Sequence, residues 1–333
     1  MTLERFLRWD DDVAQSAYLA EYQRRAEQRL SSGLAIVQRH SDDLGGLLVS
    51  LLSTLPEAQV LRVAAAPELE FQVRFCRTAD GSIEDLAGFL VSAFQQALAQ
   101  AEDGADHVEW PQIDFDGPFN RGDAANRFSK YSALGAPGRG SLPAQIGDAM
   151  ELLESAAPHG AHLTRALTTV VVPIAVQEID GRCGYFSSSW YPGRTVLVNP
   201  DAGRMSLEGL AAALLHEAIH SLIDVSELGG RLVAGGVEGS ARVESPWTGS
   251  QISLQSLLDA YFVWYGLLWL WRGAREQGVV HPSKADLLIL QCERGFQARF
   301  SDVVGNELSS VHEATRAAIE SLRNAVHHAV AVA

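Results

Sequence analysis

Ser206-Leu207-Glu208-Gly209-Leu210-Ala211-Ala212-Ala213-Leu214-Leu215-His216-Glu217-Ala218-Ile219-His220-Ser221-Leu222-Ile223-Asp224-Val225 is an apolar run with no helix breaker after Gly209. Ser206 is of the type that caps a helix, so the segment predicts a helix from Leu207 to about Val225. Within it stands His216-Glu217-Ala218-Ile219-His220, an HExxH pattern. Positions i and i+4 share one helical face, so both imidazoles can reach one cation. Glu217 sits where a carboxylate can take a proton from a metal-bound water. Chance alone gives HExxH in about one such chain in fifty. The alternative, two partly buried histidines with a paired glutamate and no metal, is costly without a hydrogen-bond network. Leu214, Leu215, Ile219, Leu222 and Ile223 are core positions.

A catalytic metal needs a third protein ligand. The longer pattern HExxHxxGxxH fails, because residue 223 is Ile and residue 226 is Ser. Asp259 stands out instead, a lone charge in Ile252-Ser253-Leu254-Gln255-Ser256-Leu257-Leu258-Asp259-Ala260-Tyr261-Phe262. A carboxylate among such neighbours requires a partner. That partner is either the cation or Arg272 or a backbone amide. Glu238 and Glu244, in a Gly-rich stretch, are weaker candidates, and Asp224 is either an acceptor for an imidazole N–H or a residue ending the helix. Two histidines and an aspartate suit a zinc ion with a bound water. They equally suit the 2-His-1-carboxylate arrangement of non-haem Fe(II) enzymes.

The composition is that of a globular chain: 333 residues, 47% hydrophobic and 20% charged. The 26 basic and 41 acidic residues leave a net charge of −15, which repels phosphate backbones, and no basic run offsets it. No nucleic-acid partner is expected; a peptide fits the field better. Cys76, Cys183 and Cys292 are far apart and odd in number, which argues against a disulfide framework or a thiolate zinc site. The N-terminus shows no signal-peptide pattern. The longest apolar run, Ala260 to Trp271, spans about 18 Å as a helix against a bilayer core of about 30 Å. The expectation is a cytoplasmic protein with no membrane partner.

Around the motif, residues 12–40 and Ile83 to Ala101, with Ser82 as cap, carry helical spacing, while Val60 to Phe75 is expected to hold a strand. Glu102 to Gly140 is crowded with Asp, Gly and Pro and reads as an irregular connection, so a boundary is placed at residue 140. The expected division is a helical region 1–140 of unassigned role and a metal-binding catalytic domain 141–333. In the latter, Pro143 to Ala157 predicts a helix and Val170 to Val176 a strand. Tyr185 to Ser189 and Thr195 to Asn199 predict strands around the turn Tyr191-Pro192-Gly193. Helices follow at Gln251–Arg272, Ser283–Asp302 and Glu307–Val330. The class is mainly α with a small β-sheet. Trp264, Trp269, Trp271, Tyr261 and Tyr265 mark either the core among the last helices or a face for a homo-oligomer. His159, His162, His327 and His328 are expected to be solvated.

The order of these segments, with Phe186-Ser187-Ser188-Ser189, Gly193-Arg194-Thr195-Val196-Leu197-Val198, the HExxH and Ser245-Pro246-Trp247, resembles the HEXXH-motif peptide-modification proteins of bacterial ribosomal-peptide natural-product clusters. The resemblance covers about Val170 to Val330. It implies a zincin-like HExxH helix packed on a short sheet, with a helical C-terminal bundle. It implies Fe(II)- and 2-oxoglutarate-dependent hydroxylation of a precursor peptide. The metal would be held by His216, His220 and Asp259, where the family tends to have Leu-His-Gly in place of Leu258-Asp259-Ala260, and Glu217 would orient water or substrate. A 2-oxoglutarate carboxylate wants a guanidinium fork, and Arg194 and Arg242 are the candidates, ahead of Arg182. Ser187, Ser188 and Ser189 are candidate substrate contacts. The alternative is a zinc-dependent peptidase or amidase, with Glu217 as general base and Thr195 to Asn199 pairing with the substrate backbone.

Overall fold

A computed structural model describes residues 12–77, 82–102, 110–115, 131–176, 182–189, 191–201, 205–227, 232–234 and 241–332. In chain order come α1 (Asp12–His40), α2 (Asp42–Thr54), α3 (Glu57–Ala64), α4 (Pro67–Arg77), α5 (Ile83–Glu102), β1 (Gln112–Ile113) and β2 (Tyr131–Ala133). Next are α6 (Ala136–Ala156), α7 (Pro158–Leu167), β3 (Val170–Val176), β4 (Gly184–Phe186), β5 (Arg194–Val198) and α8 (Leu207–Glu227). The chain continues through β6 (Arg242–Glu244), β7 (Gln251–Ser253), α9 (Leu254–Glu276), α10 (Pro282–Arg294), α11 (Phe300–Val304) and α12 (Glu313–Val332). The architecture is mainly α with a small sheet, as the sequence predicts. Among the described residues no helix is long and apolar enough to cross a membrane.

The chain divides into two interleaved compact units. One comprises residues 19–140 and 165–204, the other residues 1–18, 141–164 and 205–333. One of the cuts between the units falls after Gly140. The segment 165–204, which carries β3, β4 and β5, belongs with the N-terminal region and not with the HExxH helix.

In the first unit the sheet runs β1-β3-β5-β4, with β2 also pairing β3. β3 lies parallel to β5, from Val170 opposite Arg194 to Ile174 opposite Val198. β4 lies antiparallel to β5, so β5 is flanked on both sides. Val170, Val172, Ile174 and Val176 alternate onto one face, where they join Val196 and Val198 in a core with Leu30, Leu34, Leu69, Val73, Leu86, Leu90 and Phe94. Asn199, at a φ of 50°, closes the end of β5. Its side chain accepts from Val176 N at 2.8 Å and donates to Val176 O and Arg182 O at 3.0 and 2.9 Å.

The strand expected within Val60 to Phe75 is absent: the segment forms α3 and α4. Its buried positions Val63, Ala66, Leu69 and Val73 recur every three or four residues, a helical period that overrides the β-branched composition. Pro67 is the first residue of α4, where a missing N–H costs nothing. Helix α6 begins at Ala136, earlier than Pro143, and takes in part of the Gly-rich stretch.

In the second unit α9 packs along α8 on one side and α10 on the other. Trp247, Tyr261, Phe296 and Phe300 form edge-to-face contacts at 5.0–5.7 Å, and Trp264 stacks on Trp247 at 5.8 Å. Most of the aromatic stripe on α9 is therefore core: Tyr261, Tyr265 and Trp271 are buried, while Trp264 and Trp269 are half-buried. Trp247 Nε1 donates to Cys292 O at 2.8 Å. His327, expected in solvent, instead bonds Phe296 O at 3.0 Å through Nε2.

Gly273 on α9 allows a close approach to α6, since a Cβ there would lie 1.7 Å from Ala156 O at the end of that helix. Gly273→Ala improves intrinsic helix propensity by about 1 kcal/mol. The clash should dominate, giving a net loss of about 1–3 kcal/mol. Urea denaturation should then show a lower midpoint with an unchanged slope.

Candidate functional site

Helix α8 starts as the sequence requires, with Ser206 Oγ accepting from Gly209 N at 3.1 Å. Its apolar residues are buried around nearly the whole circumference, from Leu210 to Leu215 and again at Ala218, Ile219, Leu222, Ile223 and Val225. The three polar groups of the motif ride on this core helix. Glu217 is buried, and His216 and His220 are partly exposed along one edge. The two imidazoles are tilted at 46° with their Nε2 atoms 3.1 Å apart. Two nitrogens bound at 2.0–2.1 Å to one tetrahedral zinc would stand about 3.3 Å apart, so the pair has the spacing of two donors to a shared cation. Without a cation, the same distance serves a hydrogen bond from one Nε2–H to the other nitrogen. A Glu217 carboxylate oxygen lies 3.8 Å from His216 Nε2.

Burial, with the charge of His220 adding, pushes His216 down from 6.5 to about 3. Burial alone takes His220 to about 4. Both rings are thus neutral at physiological pH, which is the protonation state that ligates metal.

Asp259 is not brought to the imidazoles. Its carboxylate accepts from Gln255 Nε2 at 3.0 Å, and Gln255 also donates to Glu227 Oε1 at 3.2 Å. Burial first, then the charges of Asp224 and Glu227, hold its pKa well above the ordinary carboxylate value. Asp224 and Glu227 lie one and two turns beyond His220 on the same stripe of α8. Gln255 on α9 thus faces Glu227 on α8. Arg272, the other partner considered for Asp259, pairs with Glu293 at 2.7 Å. Among the described residues no three His, Cys, Asp or Glu side chains stand close enough together to hold a metal ion. The donor chemistry of the histidine pair fits Fe(II) or Zn(II), while the full three-ligand set is not assembled.

Neither a protein-family model nor a curated protein matches this sequence.

The remaining candidates separate between the units. Arg194 is 1% exposed on β5, its guanidinium 3.9 Å from the centroid of the Tyr191 ring. Ser187, Ser188 and Ser189 follow edge strand β4; Ser188 O accepts from Tyr191 N at 2.8 Å and Ser189 O from Arg74 Nη1 at 3.3 Å. These residues belong to the sheet unit, whereas Arg242 belongs to the HExxH unit, exposed on β6 opposite Ser253. Arg182 is exposed, Glu244 is exposed on β6, and Glu238 lies outside the described residues. Thr195–Asn199 does not offer the edge proposed for a substrate backbone, because β3 and β4 already flank β5. Sequence reasoning missed Gln255 and Glu227. The i, i+4 spacing of Gln255 and Asp259 was the available signal.

The pKa directions give opposite signs for the metal-free protein. A depressed histidine value means that the unfolded chain binds more protons below about pH 6.5, so stability falls as pH drops from there toward the folded values of about 4 and 3. A raised Asp259 value means that its contribution is present below its unfolded value and is lost as pH rises through its folded one. Asp259→Asn should therefore stabilise the protein at pH 8 and do little at pH 4. Chemical denaturation at the two values measures both, and an equal gain at each would show that Asp259 titrates normally.

Proposed function

We propose that this protein is a metal-dependent enzyme that modifies a peptide, with His216 and His220 as metal donors and Glu217 as the proton-handling carboxylate. The carrying observation is the convergence of the two Nε2 atoms to 3.1 Å beside a buried glutamate. Such a pair on a core helix is hard to account for by packing alone. The chemistry favoured is Fe(II)- and 2-oxoglutarate-dependent hydroxylation of a side-chain carbon in a ribosomally made precursor peptide, in the cytoplasm. It rests on the resemblance in segment order, and the metal with its co-substrate would supply the oxidising power. Glu217, held 3.8 Å from His216 Nε2, would accept or return a proton at the metal-facing edge of the helix.

The position of Glu217 also favours a second reading, a zinc-dependent peptidase or amidase in which that carboxylate is the general base. The two readings separate by experiment. Anaerobically purified protein given Fe(II), 2-oxoglutarate and a precursor peptide encoded nearby should yield succinate and a peptide heavier by one oxygen atom. Zinc retained through purification, with chelator-sensitive peptide cleavage independent of 2-oxoglutarate, would establish the hydrolase instead.

His216→Ala and His220→Ala should each abolish metal retention. Glu217→Gln should keep the metal and lower turnover by about 10²–10⁴-fold. Asp259→Asn should keep the metal, since that carboxylate is grouped with Asp224 and Glu227. Metal analysis after gel filtration reads all four variants, and loss of metal from Asp259→Asn would restore Asp259 as the third ligand.

A further inference from the structure

The sheet unit contains a cavity of about 490 Å³ that the proposed chemistry does not use. It is formed where the C-terminal half of α1 meets the end of α4 and the start of α5. Its lining is Ser32, Ala35, Ile36, Arg39, His40, Cys76 and Ile83. The volume is within the range of small-molecule sites. The chemistry of the lining is two-sided. Ile36, Cys76 and Ile83 are half-buried and provide an apolar floor, while Arg39 and His40 are exposed at the rim.

The two cations differ. His40 Nε2 has Glu84 3.7 Å away. Arg39 makes no ion pair or side-chain hydrogen bond among the described residues. Other arginines of α1 are engaged: Arg24 and Arg25 with Glu21, and Arg29 with Glu70. In a chain with net charge −15, Arg39 thus sets an uncommitted guanidinium beside an apolar floor. Cys76 donates through Sγ to Ser82 O at 3.5 Å, and burial, aided by Asp85 and Glu84, raises its pKa. The floor therefore carries a neutral thiol and no negative charge of its own.

We propose that this cavity binds a small amphipathic carboxylate, with a short alkyl chain on Ile36, Ile83 and Cys76 and its carboxylate on the Arg39 fork. Ser32 Oγ, whose hydrogen goes to Gln28 O at 2.8 Å, keeps acceptor capacity only, so Arg39 supplies the charge-assisted bonds. Arg39 and His40 also lie in the last turn of α1, where cations favour the helix dipole. That role would exist with or without a ligand, so the test must read occupancy of the floor.

Cys76 reports on it directly. The full-length protein is labelled with N-ethylmaleimide, and peptide mass spectrometry follows Cys76 against Cys183 as internal control. Octanoate should slow labelling of Cys76 and leave Cys183 unchanged. Octanol should protect less and octylamine not at all. Arg39→Gln should raise the octanoate concentration needed by about tenfold or more, the worth of a charge-assisted pair, and Arg39→Lys should recover part of it. Circular dichroism of each variant checks that it is folded. Equal protection by octanol and octanoate, no protection by octanoate, or an unchanged requirement in folded Arg39→Gln would each overturn the proposal.

Discussion

The arrangement around α8 depends on one constraint: a helix buried on nearly every side must also carry two imidazoles and a carboxylate. Burial forces the imidazoles to be neutral, and helical spacing forces them together. The outcome is a pair of ring nitrogens 3.1 Å apart, with a buried carboxylate alongside. The packing of α9 along α8, and of α10 and α12 against α9, keeps water from most of this helix and so sustains the electrostatics of the pair. The polar edge survives because it lies on the one stripe that the apolar residues leave open.

The same stripe explains Asp259. A lone aspartate in an apolar helix needs a partner, and it finds Gln255 one turn earlier. Gln255 bridges it to Glu227, which itself accepts from Leu232 N at 3.1 Å. Three carboxylates then share a restricted space, so burial and mutual repulsion both favour a proton on Asp259. A carboxylate disposed in this way is a hydrogen-bonded acid grouped with the acidic residues at the end of α8.

In the sheet unit the β3–β5 pairing imposes a different order. Parallel strands buried on both faces demand continuous apolar sequence, and Val170–Val176 and Arg194–Val198 supply it except at Arg194 and Thr195. The guanidinium is accommodated by stacking on Tyr191, which itself stacks on Phe71 at 4.6 Å. The arginine considered as a fork for a 2-oxoglutarate carboxylate is thus built into the packing of that turn. Gly193, at a φ of 92°, permits the turn itself, with Thr169 N and Val170 N both donating to its carbonyl.

The local sequence determined much of this protein. The caps at Ser82 and Ser206, the period of α8 and α9, the alternation of β3 and the imidazole pair at His216 and His220 all follow from short-range spacing. Each is set by interactions within a few residues, which a linear reading contains. Tertiary structure alone decided which unit receives residues 165–204 and that Asp224 and Glu227 of α8 act on Asp259. Those outcomes depend on which helix or strand lies opposite. A side chain's partner across an interface is fixed by the register of two distant segments, and neither segment encodes that register by itself.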